Sequence, residues 1–252
     1  KAIMPNQILS KSQYLTGLQC PKALWLLKNS PHLKKDSSSI TQQLLFNEGR
    51  EVEEVARELF PGGIEVKYGE ENLKNQIMET QELINGGVKT IYEGTFEYDD
   101  IIIKADLLQK GEGGWNLYEI KSSSEISDIQ KDDIALQYYV LKESNLISIS
   151  SVSLIHINKQ YIREGKIEVS ELFTTVEMTE FVIQEQEEEI RKIRMQLDSI
   201  NDTSFPTRPV STRQARLLID VTLEDMNSRN RGPVKGVVLH FDDYSTLKNN
   251  WD

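Results

Sequence analysis

Between residues 90 and 121 short apolar runs rich in Ile, Leu and aromatic residues are separated by turn residues, the pattern of β-strands. The segment "TIYEGTFEYDDIIIKADLLQKGEGGWNLYEIKS" therefore predicts three strands, with turns at Tyr98-Asp99-Asp100 and across Lys110 to Gly114. Elsewhere the spacing is helical. Ser10 and Gln13 stand in capping-box relation, Gly17 interrupts the run they open, and Pro21 restarts it, so two short helices are expected near the start. "HLKKDSSSI" is polar and serine-rich, hence a loop, and "TQQLLFNEGREVEEVARELF" places Leu45, Val52, Ala56 and Leu59 on one helical stripe that stops at "PGG". Further helices are expected over 72–84, from Asp128 to about Lys142, and from Thr179 to Ser199, with a strand in "SVSLIHINKQYI". Helices, a strand meander, then helix, strand and helix, without an internal repeat, predict an α/β fold with a central mixed sheet.

The meander carries charges where apolar residues are expected. In "DIIIKADLLQ" one face holds Ile102, Lys104, Asp106 and Leu108, the other Ile101, Ile103, Ala105 and Leu107. In the next strand Trp115, Leu117, Glu119 and Lys121 share a face opposite Tyr118 and Ile120. Antiparallel pairing brings Asp106 within reach of Glu119. Two carboxylates beside an ammonium suit a hard divalent cation, Mg²⁺ or Mn²⁺, whose charge offsets the repulsion between them. A lysine next to that ion is placed to hold or deprotonate a water and to neutralise charge on a phosphate. The plainer reading, a backbone-bonded Asp106 and a surface pair of Glu119 with Lys121, stays open at this point.

Composition narrows the setting. The 252 residues, 38% of them apolar, can build a substantial core. A formal charge of −11 excludes a surface that is cationic all over and confines any nucleic-acid contact to a local groove. The single cysteine, Cys20, excludes an internal disulfide and any cluster built from several cysteines of this chain, and at a helix junction it reads as a small buried residue. His32, His156 and His240 lack a metal-binding spacing, and His156 in "SLIHIN" falls on a strand face. "GEGG" is not followed by a phosphate-binding helix. With no run near the roughly 18 apolar residues needed to span a bilayer, a cytoplasmic location is expected. The tail from about residue 201 is turn-rich and carries Arg208, Arg213, Arg216, Arg229 and Arg231, a solvated surface or a phosphate-facing arm.

Asp106, then Glu119 and Lys121 after twelve intervening residues, resemble the PD-(D/E)xK nuclease superfamily. Two flanking motifs are similar to its RecB-like branch: "GREVE" on a helix, with Glu53 at the acidic-ligand position, and "DIALQYYVLKE", with Gln137 matching the motif glutamine. The position four after Gln137 is Leu141, the tyrosines being Tyr138 and Tyr139. The opening "LSKSQYLTGLQCPKALWL" also resembles RecB-like proteins and the CRISPR adaptation nucleases, in which a cysteine at this place is one of four iron–sulfur ligands; lacking the other three, this chain is expected to hold no cluster.

The resemblance implies a restriction-endonuclease-like core over residues 1–200 with an extension over 201–252. It implies a Mg²⁺- or Mn²⁺-dependent deoxyribonuclease, an exonuclease acting on single-stranded DNA or ends, with repair or defence factors or further domains as partners. Asp106, Glu119, Glu53 and the Ile120 backbone carbonyl would hold metal, Lys121 would position the attacking water, and Gln137 and Tyr138 would meet the strand. Glu54 competes with Glu53 for the helical position. Two alternatives stand beside this one: a degenerate nuclease fold serving as a nucleic-acid-binding or assembly module, and a hydrolase of another phosphate ester.

Overall fold

A computed structural model of the chain describes residues 8–31, 40–67 and 73–202. These fall into two compact units, one drawn from residues 1–38 and 190–252 and the other spanning Ser39–Glu189. The extension expected beyond residue 201, with its arginines, lies outside the described residues but for its first two.

The first unit contains a two-residue strand, β1 (Leu9–Ser10), and the expected pair of short helices, α1 (Lys11–Gln19) and α2 (Pro21–Asn29). The capping box is formed: the Gln13 N–H donates to Ser10 Oγ at 3.3 Å and the Ser10 N–H to Gln13 Oε1 at 3.2 Å. Cys20 is a buried free thiol at the junction of the two helices, and burial pushes its pKa up. The later residues of the last helix, α8 (Gln186–Asn201), belong to this unit, where Gln196 donates to the Tyr14 carbonyl at 3.1 Å. Gly17 permits that approach, since a Cβ there would lie 1.9 Å from Gln196 Oε1 and 2.7 Å from Leu24 Cδ2. Gly17→Ala is expected to destabilise this unit by about 1–3 kcal/mol through overpacking. Thermal unfolding checks it, and an unchanged midpoint would contradict the close packing.

In the second unit the elements run α3 (Ile40–Arg57), β2 (Ile64–Glu65), α4 (Leu73–Asn85), β3 (Thr90–Tyr98), β4 (Ile101–Lys110), β5 (Trp115–Lys121), α5 (Asp128–Glu143), β6 (Ile149–Ile157), α6 (Val169–Leu172), β7 (Phe173–Glu177) and α7 (Thr179–Gln184). The strands lie in the order β2-β3-β4-β5-β6-β7. The predicted meander β3-β4-β5 is antiparallel, β2 joins β3 and β6 joins β5 in parallel, and β7 returns antiparallel on β6. The sheet is therefore mixed, and α5 is the crossover that a parallel β5–β6 pair requires. Asp99 and Asp100 both have positive φ, 49° and 62°, as a type I′ hairpin turn demands.

Side-chain alternation divides the sheet's faces. Ile120, Ile155 and Phe173 pack with Ala56 of α3, joined by Val52, Leu59, Tyr118 and Ile157, whereas α5 packs against β3, β4 and β6. Glu119 turns towards α5. Three expectations need correction. The strand in "SVSLIHINKQYI" stops at Ile157, the helix expected over 179–199 is two helices broken at Glu185, and α6 and β7 form in a stretch too short to announce them. Among the described residues no helix is long and apolar enough to cross a membrane.

Candidate functional site

The β4–β5 ladder ends at the pair Leu107 and Tyr118, one residue short of Asp106 and Glu119. There the backbone ladder gives way to a side chain: Asp106 Oδ2 accepts the Ile120 N–H at 2.8 Å. Ile120, expected to present its carbonyl, is thus tied to Asp106 through its amide hydrogen.

Glu119 is 1% exposed. Its Oε1 accepts from Lys121 Nζ at 2.5 Å and its Oε2 from Gln137 Nε2 at 2.8 Å. Lys121 also donates to Asp133 Oδ2 at 2.6 Å, and Gln137 Nε2 to Asp133 Oδ1 at 2.9 Å. Four side chains thereby close a ring between β5 and α5. Two local periodicities build it: residues two apart share a strand face, and residues four apart share a helix face. Ser127 fixes the start of α5 through a capping box with Gln130. Gln137 is fully buried, its amide donates to both Glu119 and Asp133, and its Oε1 is a buried acceptor with no partner. Asp133, 3% exposed, is a site residue the sequence reading missed; its spacing of four from Gln137 was the available signal, blurred by the neighbouring Asp132.

A second group gathers where α3 meets β3. Arg57, one turn after Glu53, forms an ion pair with it and with Glu65 at 3.0 Å and Glu93 at 3.4 Å, and lies over the Tyr92 ring at 4.8 Å. Glu54 is exposed, so Glu53 is the glutamate of that pair that turns to the sheet. Glu93, also missed from sequence, lies between the rungs Tyr92–Leu107 and Gly94–Ala105, across from Asp106, with a φ of 57°. Its pKa is pushed up to about 8, first by burial and then by the charges of Glu53 and Asp106, which Arg57 only partly offsets. Glu93 and Asp106 thus fall together at a gap in the β3–β4 register.

Tyr138 points elsewhere, because successive helical residues diverge around the axis. It lines a pocket of about 370 Å³ with Lys142, Asn145, Ile147 and Ser148. Tyr139 is buried edge-on against Tyr98, with ring centroids 5.7 Å apart.

Among the described residues no three of His, Cys, Asp and Glu converge as a ready cation cage, since these carboxylates are engaged with Lys121, Gln137, Arg57 and a backbone amide. The donor chemistry nonetheless fits a hard divalent ion. All candidate ligands are oxygens, and Glu93, whose pKa burial raises first, also lies beside the charges of Glu53 and Asp106.

No protein-family model and no curated protein matches the chain. Solved structures that match include the crystal structure of SSO0001, with 11% identity, a TM-score of 0.43 and 81% of each chain covered. An alkaline exonuclease, LHK-Exo, from Laribacter hongkongensis has 10% identity and a TM-score of 0.43, covering 88% of this chain and 94% of that one. Its complex with dAMP has 11% identity and a TM-score of 0.42 over the same shares. Likeness at this level carries no argument about chemistry, which rests on the side chains described above.

Proposed function

We propose that the chain is a metal-dependent nuclease, a DNA exonuclease of the RecB-like kind, with Asp106, Glu119 and Lys121 at its centre. The observation that carries this reading is the buried ring of Glu119, Lys121, Asp133 and Gln137, with Asp106 on the adjoining strand. Replacing buried ion pairs by well-packed apolar residues is often neutral or stabilising by about 1–4 kcal/mol. A sheet that keeps such a ring in its interior, against its own stability, has the signature of a site shaped by chemistry.

In this reading Asp106, Glu119 and Glu53, with the Ile120 carbonyl, hold Mg²⁺ or Mn²⁺, which when bound polarises the scissile phosphate and makes a coordinated water more acidic. The chain's own residues supply the rest. Asp133 and Gln137 hold Lys121 and Glu119 in fixed rotamers, so that Lys121 carries its charge and its hydrogen-bond donors to the water and the phosphate. Arg57 orients Glu53 and offsets Glu93. Tyr138, in its pocket at the start of β6, offers a ring for a base of the strand well away from Lys121.

A Mn²⁺ titration followed by thermal unfolding tests the reading. The expected result is a rise in midpoint for the wild type, near 2.7 kcal/mol of stabilisation at a hundredfold excess over Kd, and its loss in Asp106→Asn and Glu119→Gln. No rise in the wild type would favour the degenerate binding module. Hydrolysis of a phosphate monoester in preference to DNA would favour the other phosphoesterase.

A further inference from the structure

The ring leaves one neighbour of Lys121 unused. In the β5–β6 register Lys121 pairs with His156, and in the β6–β7 register His156 pairs with Thr174. Residues paired in this way share a face. Their chain neighbours Ile120, Ile155, Ile157 and Phe173 all lie in the cluster against α3, so Lys121, His156 and Thr174 look the other way, on the face of Glu119. With strands roughly 4.8 Å apart, an ammonium, an imidazole and a hydroxyl stand side by side along one rung. Exposure rises along the path: Glu119 is closed, the Lys121 side chain is 20% exposed, His156 is half-buried and Thr174 is exposed.

His156 is set for an anion. Its Nδ1 lies 3.0 Å from the Ile157 carbonyl oxygen. A carbonyl only accepts, so Nδ1 carries a proton. Nε2 has no partner among the described residues, and a proton on it would make the ring a donor at both nitrogens. The end of β6 is held in place as well, since the Ile157 N–H donates to the Ser123 carbonyl at 3.1 Å.

We propose that His156 and Thr174 form a phosphate subsite beside Lys121, which takes the phosphate next to the scissile one in a bound nucleic-acid strand. The subsite rests on the nuclease reading and gives it a direction: the strand crosses from Lys121 over β6 towards β7. One anionic diester group, hydrogen-bonded by the Thr174 hydroxyl and by the His156 ring when both its nitrogens carry protons, is the ligand.

The experiment has a binding arm and a turnover arm. Fluorescence anisotropy of a labelled single-stranded oligonucleotide in EDTA compares the wild type with His156→Ala and Thr174→Val, all checked for an unchanged unfolding midpoint. Affinity is expected to fall about tenfold for His156→Ala and by a smaller factor for Thr174→Val. In turnover with Mn²⁺, His156→Ala is expected to lose about tenfold more kcat/KM on an oligonucleotide than on bis(p-nitrophenyl) phosphate, which has one phosphate and cannot fill a second subsite. Wild-type oligonucleotide affinity in His156→Ala overturns the proposal, as does an equal loss on both substrates, which would put His156 in the chemistry. If the wild type itself neither binds nor cleaves nucleic acid, the nuclease reading falls and the subsite with it, an outcome recognisable without any variant.

Discussion

Lys121→Met is expected to lower the rate of nucleic-acid cleavage by about 10²–10⁴-fold, the range for removing one positioned charge or donor from a reaction centre. It is also expected to cost stability. Glu119 and Asp133, 1% and 3% exposed, both accept from the Lys121 ammonium, and leaving such carboxylates without their cation costs about 3–5 kcal/mol. The two effects separate in a second variant. Lys121→Met with Asp133→Asn removes one of the two stranded charges while the new amide still meets Gln137. That double variant should regain part of the stability and none of the activity. Urea denaturation and cleavage rates on the same preparations check both. If activity returned along with stability, Lys121 would be a structural counter-ion.

Glu93→Gln should change the pH dependence of stability in metal-free buffer. The Glu93 carboxyl, at about 8 in the folded state against an ordinary 4.5, binds a proton in the folded chain over a range where the unfolded chain has released it. Its contribution is therefore complete below about pH 4.5 and is lost as pH rises through about 8. The loss is on the order of 5 kcal/mol. Glutamine keeps a donor towards Glu53 and has no proton to lose. Urea denaturation in EDTA at pH 5, 7 and 9 should find the variant close to the wild type at pH 5 and more stable by a widening margin up to pH 9. Parallel curves would show that Glu53, Asp106 and Arg57 do not set the state of Glu93.

The strands were legible because short apolar runs bounded by turn residues follow one another from Thr90 to Lys121, and because Asp99 and Asp100 favour the left-handed conformation their turn needs. The start of α1 was legible through the capping-box spacing of Ser10 and Gln13, whereas the capping box of Ser127 at the start of α5 went unread. The break at Glu185 was not, since polar residues on both sides carry no apolar register to lose. The chemical core followed the same division. Glu119 and Lys121 are two apart on one strand, a relation any strand reading supplies. Asp133 and Glu93 join the site only through tertiary placement. Asp133 needs α5 laid over the Glu119 face, and Glu93 needs the β3–β4 register that sets it across from Asp106. Gln137, matched by resemblance as a strand contact, is fully buried, and its amide donates to two carboxylates that only tertiary placement brings to it.

Arg57 and Lys121 each sit among carboxylates, and the two clusters meet at Asp106, whose charge raises the pKa of Glu93 on one side and whose oxygen holds the Ile120 amide on the other. Asp106→Asn is therefore the most informative single change, because it keeps the shape and a hydrogen-bonding oxygen while it removes the charge. The direct measurement is cleavage of end-labelled single-stranded DNA by the wild type and by folded Asp106→Asn, in Mn²⁺ and in EDTA. The account predicts a product ladder for the wild type in Mn²⁺ alone and none for the variant. Cleavage that survives EDTA, or that Asp106→Asn leaves intact, would contradict it.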